Sequence, residues 1–204
     1  MGGQPLLYWP LLTLERTPSV VGVVLVVGED RLAWARRFVK RSKFKKVCAI
    51  VPGGKERADS VRAGVAVVPS KGDVILIHDA ARALVTRDVV ERVAVAAKRT
   101  GVALAARPVA DTIKMAVIKR GRPFVQRTVP REGLWLAQTP QGFRADVLRR
   151  IAPRLSSRLT DDVQAAEKMG IPVEIVMGAA TNFKVTVPED FALCCALTFP
   201  AGGH

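Results

Sequence analysis

Residues 74–82 read VILIHDAAR, four aliphatic side chains running straight into His78, Asp79, two alanines and Arg82. A short apolar run bounded by polar residues reads as a strand buried on both faces, the pattern of a parallel sheet. Polar residues at such an end can simply mark its exit to solvent. Open α/β sheets, however, bind ligands outside the carboxyl ends of their strands. There an acid suits a divalent cation, and an arginine grips phosphate bidentately.

On either side of this stretch the same alternation recurs. Strands are predicted at 20–27, 46–51, 102–106, 173–176 and 183–187, and helices at 30–42, 87–99, 144–151 and 161–169. Ala58, Val61, Val65 and Val68 fall at helical spacing after a Gly-Gly turn, and Pro188 opens a last helix. Residues 112–129 read as a hairpin turning at Lys119-Arg120-Gly121-Arg122. The pattern predicts an α/β fold over 1–204 as one domain, with a largely parallel sheet and helices on both faces.

Composition narrows the function. The chain has 204 residues, 49% of them hydrophobic, enough for a core of its own. Its longest strongly apolar run, 20–27, is too short to span a membrane, so no membrane partner is expected. The start, MGGQPLLYWPLL, lacks the basic region and cleavage site of a signal peptide. Cys48, Cys194 and Cys195 form no CxxC pair, which argues against zinc and fits a reducing cytoplasm. The net charge of +14 favours anionic partners. Eight basic residues and no acid crowd into RLAWARRFVKRSKFKK, 31–46. Leu32, Ala35 and Val39 give that segment one apolar face, so a solvated helix is the preferred reading. The sharper reading is a nucleic-acid stripe, since the aromatics Trp34, Phe38 and Phe44 interleave with the charges, but two of them could equally pack inward.

The motifs GGKERADSVRAG (53–64), VILIHDAAR (74–82), PVADTIK (108–114), LWLAQTPQGF (134–143), LTDDVQAAEKMG (159–170) and NFKVTVPEDFALC (182–194) follow in a specific order. Together they resemble the 2-C-methyl-D-erythritol 4-phosphate cytidylyltransferases of the non-mevalonate isoprenoid pathway, over most of residues 5–197. The resemblance implies a Rossmann-like nucleotidyltransferase fold, with a β-hairpin arm at about 112–131 that joins a second subunit into a homodimer. It implies CTP as donor, methylerythritol phosphate as acceptor, magnesium as the divalent cation, and a cytoplasmic location. Gly54 and Ser60 then fall where the cytosine is read, and Asp79 where the metal and ribose lie. Arg82 and Thr112 match contacts to the acceptor phosphate; Arg131, Thr139, Thr160 and Lys184 match the rest of its pocket, with Arg131 and Lys184 expected in catalysis. Lys55 stands where some members have an acid, and Ala83 where most have proline.

Taken singly, each residue has a plain structural reading. Thr160 would cap a helix, Thr139-Pro140 would turn the chain, Lys184 would face solvent from a strand, and Arg131 would belong to a charged hairpin. The ordered set favours function, with His78 orienting its loop rather than acting as a base. The family's AAGxGxR loop, which wraps the triphosphate, has no counterpart in these 204 residues. The expectation is weak turnover by this chain, rescued by restoring that segment upstream. Two alternatives stay open: an impaired descendant that binds a phosphorylated metabolite, and a basic nucleic-acid-binding protein. Nucleic acid is not the expected partner.

Overall fold

The computed structural model describes residues 1–69, 72–156 and 158–199. After helix α1 (Tyr8–Arg16), the run VVLVV forms β1 (Val23–Val27), the β-branched side chains suiting a pleated, half-buried surface. Helix α2 (Leu32–Ser42) returns the chain to β2 (Val47–Pro52), parallel to β1. Leu11, Leu25, Ala35, Phe38, Val39 and Phe44 bury together between these elements. Two of the three aromatics of the basic segment thus belong to the core. Trp34 remains outside, stacked on Phe38 with ring centroids 5.1 Å apart.

Helix α3 (Arg57–Val67) starts after the Gly53-Gly54 turn with a reciprocal cap, in which the Glu56 N–H donates to Asp59 Oδ2 at 3.2 Å. Then come β3 (Val74–Ile77), α4 (Arg87–Thr100) and β4 (Val102–Pro108). Thr86 caps α4 by accepting the Val89 N–H, and Gly101, at φ 96°, ends it. The hairpin β5 (Ile113–Lys119) and β6 (Arg122–Val129) stands apart as a two-stranded sheet. Strand β7 (Trp135–Arg144), helices α5 (Ala145–Ile151) and α6 (Val163–Glu167), strand β8 (Glu174–Met177) and helix α7 (Pro188–Thr198) complete the chain.

The second sheet has the order β3-β7-β4-β8. β4 and β8 are parallel, but β7 runs antiparallel to both its neighbours, so this sheet is mixed. Pro140 is tolerated in β7 because the register with β4 shifts between Leu104 and Ala106, where no ladder bond is required of it. Gly142 lets α4 lie directly on the strand: a Cβ there would meet Ala97 and Val93 at 2.9 Å. Phe143, Leu148 and Ile151 are fully buried in the main core with Val102 and Ala166.

The strand expected at 183–187 does not join a ladder. Its N–H groups are taken elsewhere: Val185 donates to the Ala81 carbonyl, and Thr186 and Val187 donate to Asp190 Oδ2 at the start of α7. Among the described residues β1 and β3 do not pair, so each sheet presents an aliphatic edge strand with one unpaired side. No described helix is long and apolar enough to cross a membrane.

Candidate active site

β3 delivers Asp79 to the mouth of the second sheet, where three cations surround it. Lys184 Nζ lies 3.2 Å from Oδ2, Arg57 Nη2 lies 3.5 Å from Oδ1, and Arg82 Nε lies 4.0 Å from Oδ2. Burial alone would raise the Asp79 pKa, but the charges of Lys184 and Arg57 outweigh it and hold the carboxyl below its usual range. Lys184 therefore does not point freely to solvent. It reaches the acid from the extended segment that the Asp190 cap and the Ala81 carbonyl hold in place.

The loop that carries Asp79 is fixed from below. The Asp79 N–H donates to Thr139 Oγ1 at 3.0 Å, and Thr139 Oγ1 also lies 3.0 Å from His78 Nδ1. His78 Nε2 faces the Arg82 carbonyl at 3.2 Å. A carbonyl only accepts, so Nε2 carries the proton, Nδ1 accepts from Thr139, and the ring is neutral. Burial pushes the His78 pKa down to about 4. Thr139 is 3% exposed, with its hydroxyl engaged on both sides. It acts in this structure as a bracket between β7 and the loop.

Arg82 is tied as firmly. Its Nη1 donates to the Asn182 carbonyl at 2.8 Å and its Nη2 to the Ala137 carbonyl at 3.3 Å, while Nε is buried without a hydrogen-bond partner. Burial pushes its pKa down, although Asp79 counters this. Asn182, fully buried, donates to the Thr139 carbonyl at 2.8 Å and so joins the Lys184 segment to β7.

The Gly53-Gly54 turn leads into α3, whose first residue, Arg57, touches this cluster. A Cβ on Gly54 would fall 2.2 Å from Asp59 Cβ, so the sharp entry to α3 needs glycine. Ser60 donates to the Glu56 carbonyl at 3.3 Å, and Lys55 is exposed. From the first turn of α3, Arg57 reaches two acids, with Nη1 2.5 Å from Asp162 Oδ1 and Nη2 turned to Asp79. Asp162 is nearly buried, and burial raises its pKa despite Arg57. Gln141 on β7 pins that segment by accepting from the Asp162 and Val163 N–H groups at 3.0 and 3.3 Å.

Thr160 does not cap α6. Asp161 does so, accepting the Gln164 N–H at 3.1 Å, while Thr160 Oγ1 accepts from the Gln164 side chain at 3.5 Å. Thr112 and Arg131 lie at the base of the arm, where Arg131 donates to the Ala110 carbonyl. Among the described residues, neither bonds to the Asp79 cluster. Arg57, Gln141 and Asn182 went unassigned in the sequence. The signal available was polar side chains inside otherwise apolar segments, above all the two glutamines of AQTPQ.

The donor set can be tested against a divalent cation. Among the described residues no three His, Cys, Asp or Glu side chains gather as a cage. Asp79 offers one carboxylate, 18% exposed, with a cation of the chain at each oxygen. Magnesium keeps waters and binds through one or two carboxylates plus the phosphates of a nucleotide, so this single carboxylate would be enough to hold it once one of those cations gives way.

Comparison with known proteins agrees on one family. The family profile described as IspD, 2-C-methyl-D-erythritol 4-phosphate cytidylyltransferase, matches residues 1–198. The chain is 44% identical over 201 residues to the bifunctional enzyme IspD/IspF of Desulforudis audaxviator, covering 97% of itself and 50% of that relative. It is 42% identical over 193 residues to the 2-C-methyl-D-erythritol 4-phosphate cytidylyltransferase of Dehalococcoides mccartyi strain CBDB1, covering 95% of itself and 83% of the relative. The crystal structure of the cytidylyltransferase of that name from Thermus thermophilus superposes with a TM-score of 0.78 at 34% identity, covering 97% of this chain and 90% of that one.

Proposed function

The chain belongs to the 2-C-methyl-D-erythritol 4-phosphate cytidylyltransferase family, and from that premise we propose that it transfers the cytidylyl group of CTP to 2-C-methyl-D-erythritol 4-phosphate. An oxygen of the acceptor phosphate attacks the α-phosphorus of CTP, the α–β phosphoanhydride bond breaks, and pyrophosphate leaves. The observation that carries the reading is the Asp79 cluster, one acid within 4.0 Å of Lys184, Arg57 and Arg82, at the carboxyl end of a strand and beside the Gly54 turn.

Both reactants are anions, and a phosphate oxygen needs no base at neutral pH. The chain must therefore supply positive charge and alignment rather than a proton shuttle. Lys184 and Arg82 present cations toward the phosphates, and Lys184 is the catalytic residue that this protomer contributes. The Gly54 turn and Ser60 receive the cytosine. Asp79 would hold the magnesium that accompanies CTP, an ion that would neutralise phosphate charge. His78 and Thr139 hold the loop at fixed height. Thr160 and Thr112 border the acceptor pocket, and Arg131 reaches the site of the second subunit of a homodimer. Support for the dimer comes from the arm, where Ile118, Phe124 and Val125 are 70%, 51% and 66% exposed on a two-stranded hairpin. The reaction is placed in the cytoplasm, in non-mevalonate isoprenoid synthesis.

The test is pyrophosphate release from CTP plus methylerythritol phosphate with magnesium. It should be run with the 204-residue chain and with the same chain fused to the glycine-rich segment of a relative. Release by either, dependent on the acceptor, supports the reading. Absence of release from both, with CTP still bound, would leave only a binding protein.

A further inference from the structure

Both oxygens of Asp79 are occupied by cations of the chain itself, Oδ1 by Arg57 at 3.5 Å and Oδ2 by Lys184 at 3.2 Å. A divalent cation arriving at this carboxylate must displace one of them. Three observations single out Arg57. Its contact is the longer of the two. Its other terminal nitrogen is already anchored 2.5 Å from Asp162 Oδ1, whereas Lys184 has no second acidic partner among the described residues. And Asp162 Oδ2 is buried with no hydrogen-bond partner, although its side chain is only 2% exposed. That orphan oxygen is an acceptor left open where a guanidinium fork could close on both carboxylate oxygens.

We propose that Arg57 is a placeholder cation, which holds Asp79 until the divalent cation arrives and then moves fully onto Asp162 as a bidentate pair. This rests on the reading that Asp79 receives the ion brought by CTP. Arg57 is then a positioning residue. It occupies the Asp79 oxygen that Lys184 and Arg82 leave open, and its withdrawal satisfies the buried Asp162 oxygen at the moment the ion enters. A guanidinium presents two terminal nitrogens, one to each carboxylate, whereas a lysine ammonium brings a single nitrogen that cannot hold both of the places those two now hold.

Calorimetric titration of CTP at a series of magnesium concentrations tests it, with the magnesium needed for half-maximal binding as the readout. Arg57→Lys keeps a charge for Asp162 but cannot also occupy Asp79, so the half-saturating magnesium should fall by about threefold or more. Asp162→Asn removes the place of retreat, so Arg57 stays on Asp79 and the half-saturating magnesium should rise by about as much. A purely structural pair would shift both variants the same way, or neither, and that result overturns the proposal. A check without variants uses the side-chain NMR signals of Arg57 in the unaltered chain, which should move when magnesium joins bound CTP. Signals unchanged at saturation overturn it as well. Failure to bind CTP at any magnesium concentration, by the unaltered chain and by the chain fused to a relative's glycine-rich segment alike, overturns the functional reading itself. CTP binding without the opposed shifts overturns the placeholder alone.

Discussion

His78 joins the Arg82 carbonyl to the Thr139 hydroxyl through one neutral ring, and a proton added at Nδ1 would remove the acceptor for Thr139 and put a charge in a buried place, while Nε2–H kept its bond to Arg82. The folded pKa of about 4 lies below the ordinary 6.5, so the unfolded chain binds a proton that the folded chain refuses. The stabilisation is complete above pH 6.5 and is lost as pH falls toward 4, on the order of 3 kcal/mol in all. Thermal denaturation should therefore show a fall in stability between pH 7 and pH 5 that is smaller in His78→Gln; equal slopes would remove His78 as the cause. Asp79→Asn keeps the shape and removes the charge that a hard cation prefers. It should weaken magnesium-dependent CTP binding about tenfold or more, a larger effect than the loss of its ion pairs has on folding. Equal CTP affinity with and without magnesium in both proteins would refute the metal role. The members Asp79, Arg82 and Lys184 of this cluster were legible at this scale, because they sit in dense motifs. Their brackets were not. Arg57 meets Asp162 from 105 residues away, and Asn182 meets Thr139 from 43. Such pairings are made by the fold, and local spacing carries no record of them.

Among the elements, β7 was the hardest to read. Its Pro140 and Gly142 are residues that usually argue against a central strand, and both are explained by local relief, a register shift for one and a close helix for the other. Gly142→Ala should cost about 1–3 kcal/mol by overpacking against α4, measured by urea denaturation; a neutral result would mean that α4 moves aside freely. The hairpin was legible because alternation and a Gly-containing turn announce it. The second subunit proposed for it came only from the family resemblance, since a partner leaves no mark on one sequence beyond apolar side chains without cover. On the proposed homodimer, deleting Ile118 to Thr128 should leave monomers in sedimentation, and a dimer that survives the deletion would exclude the arm as its interface. The extended segment at 183–187 had the composition of a strand, yet the side chain of Asp190 competed for its N–H groups and won.

On the scale of the whole molecule, alternating strands and helices predicted the layered α/β class, and the family comparison agrees. The division of the sheet was not predicted. β1 and β2 form one piece and β3-β7-β4-β8 another, each with its own buried cluster. What joins them includes α3, whose Gly64 lies against Val26 of β1 while Ala58 belongs to the core of the larger sheet. Backbone hydrogen bonds propagate cooperativity along a continuous ladder, and here the ladder is interrupted. The two pieces should consequently behave as separate foldons, opening with different free energies. In native-state amide hydrogen exchange, Ala103 to Ala106 should be the slowest to exchange, opening only with global unfolding. The amides of Val24 to Val27 should exchange through a smaller opening that leaves β4 protected. Coincident exchange of the two groups across denaturant would show that α3 alone transmits full cooperativity. Separate exchange would mean that the Gly54 turn, mounted on the looser piece, can breathe while Asp79, mounted on the firmer one, stays fixed.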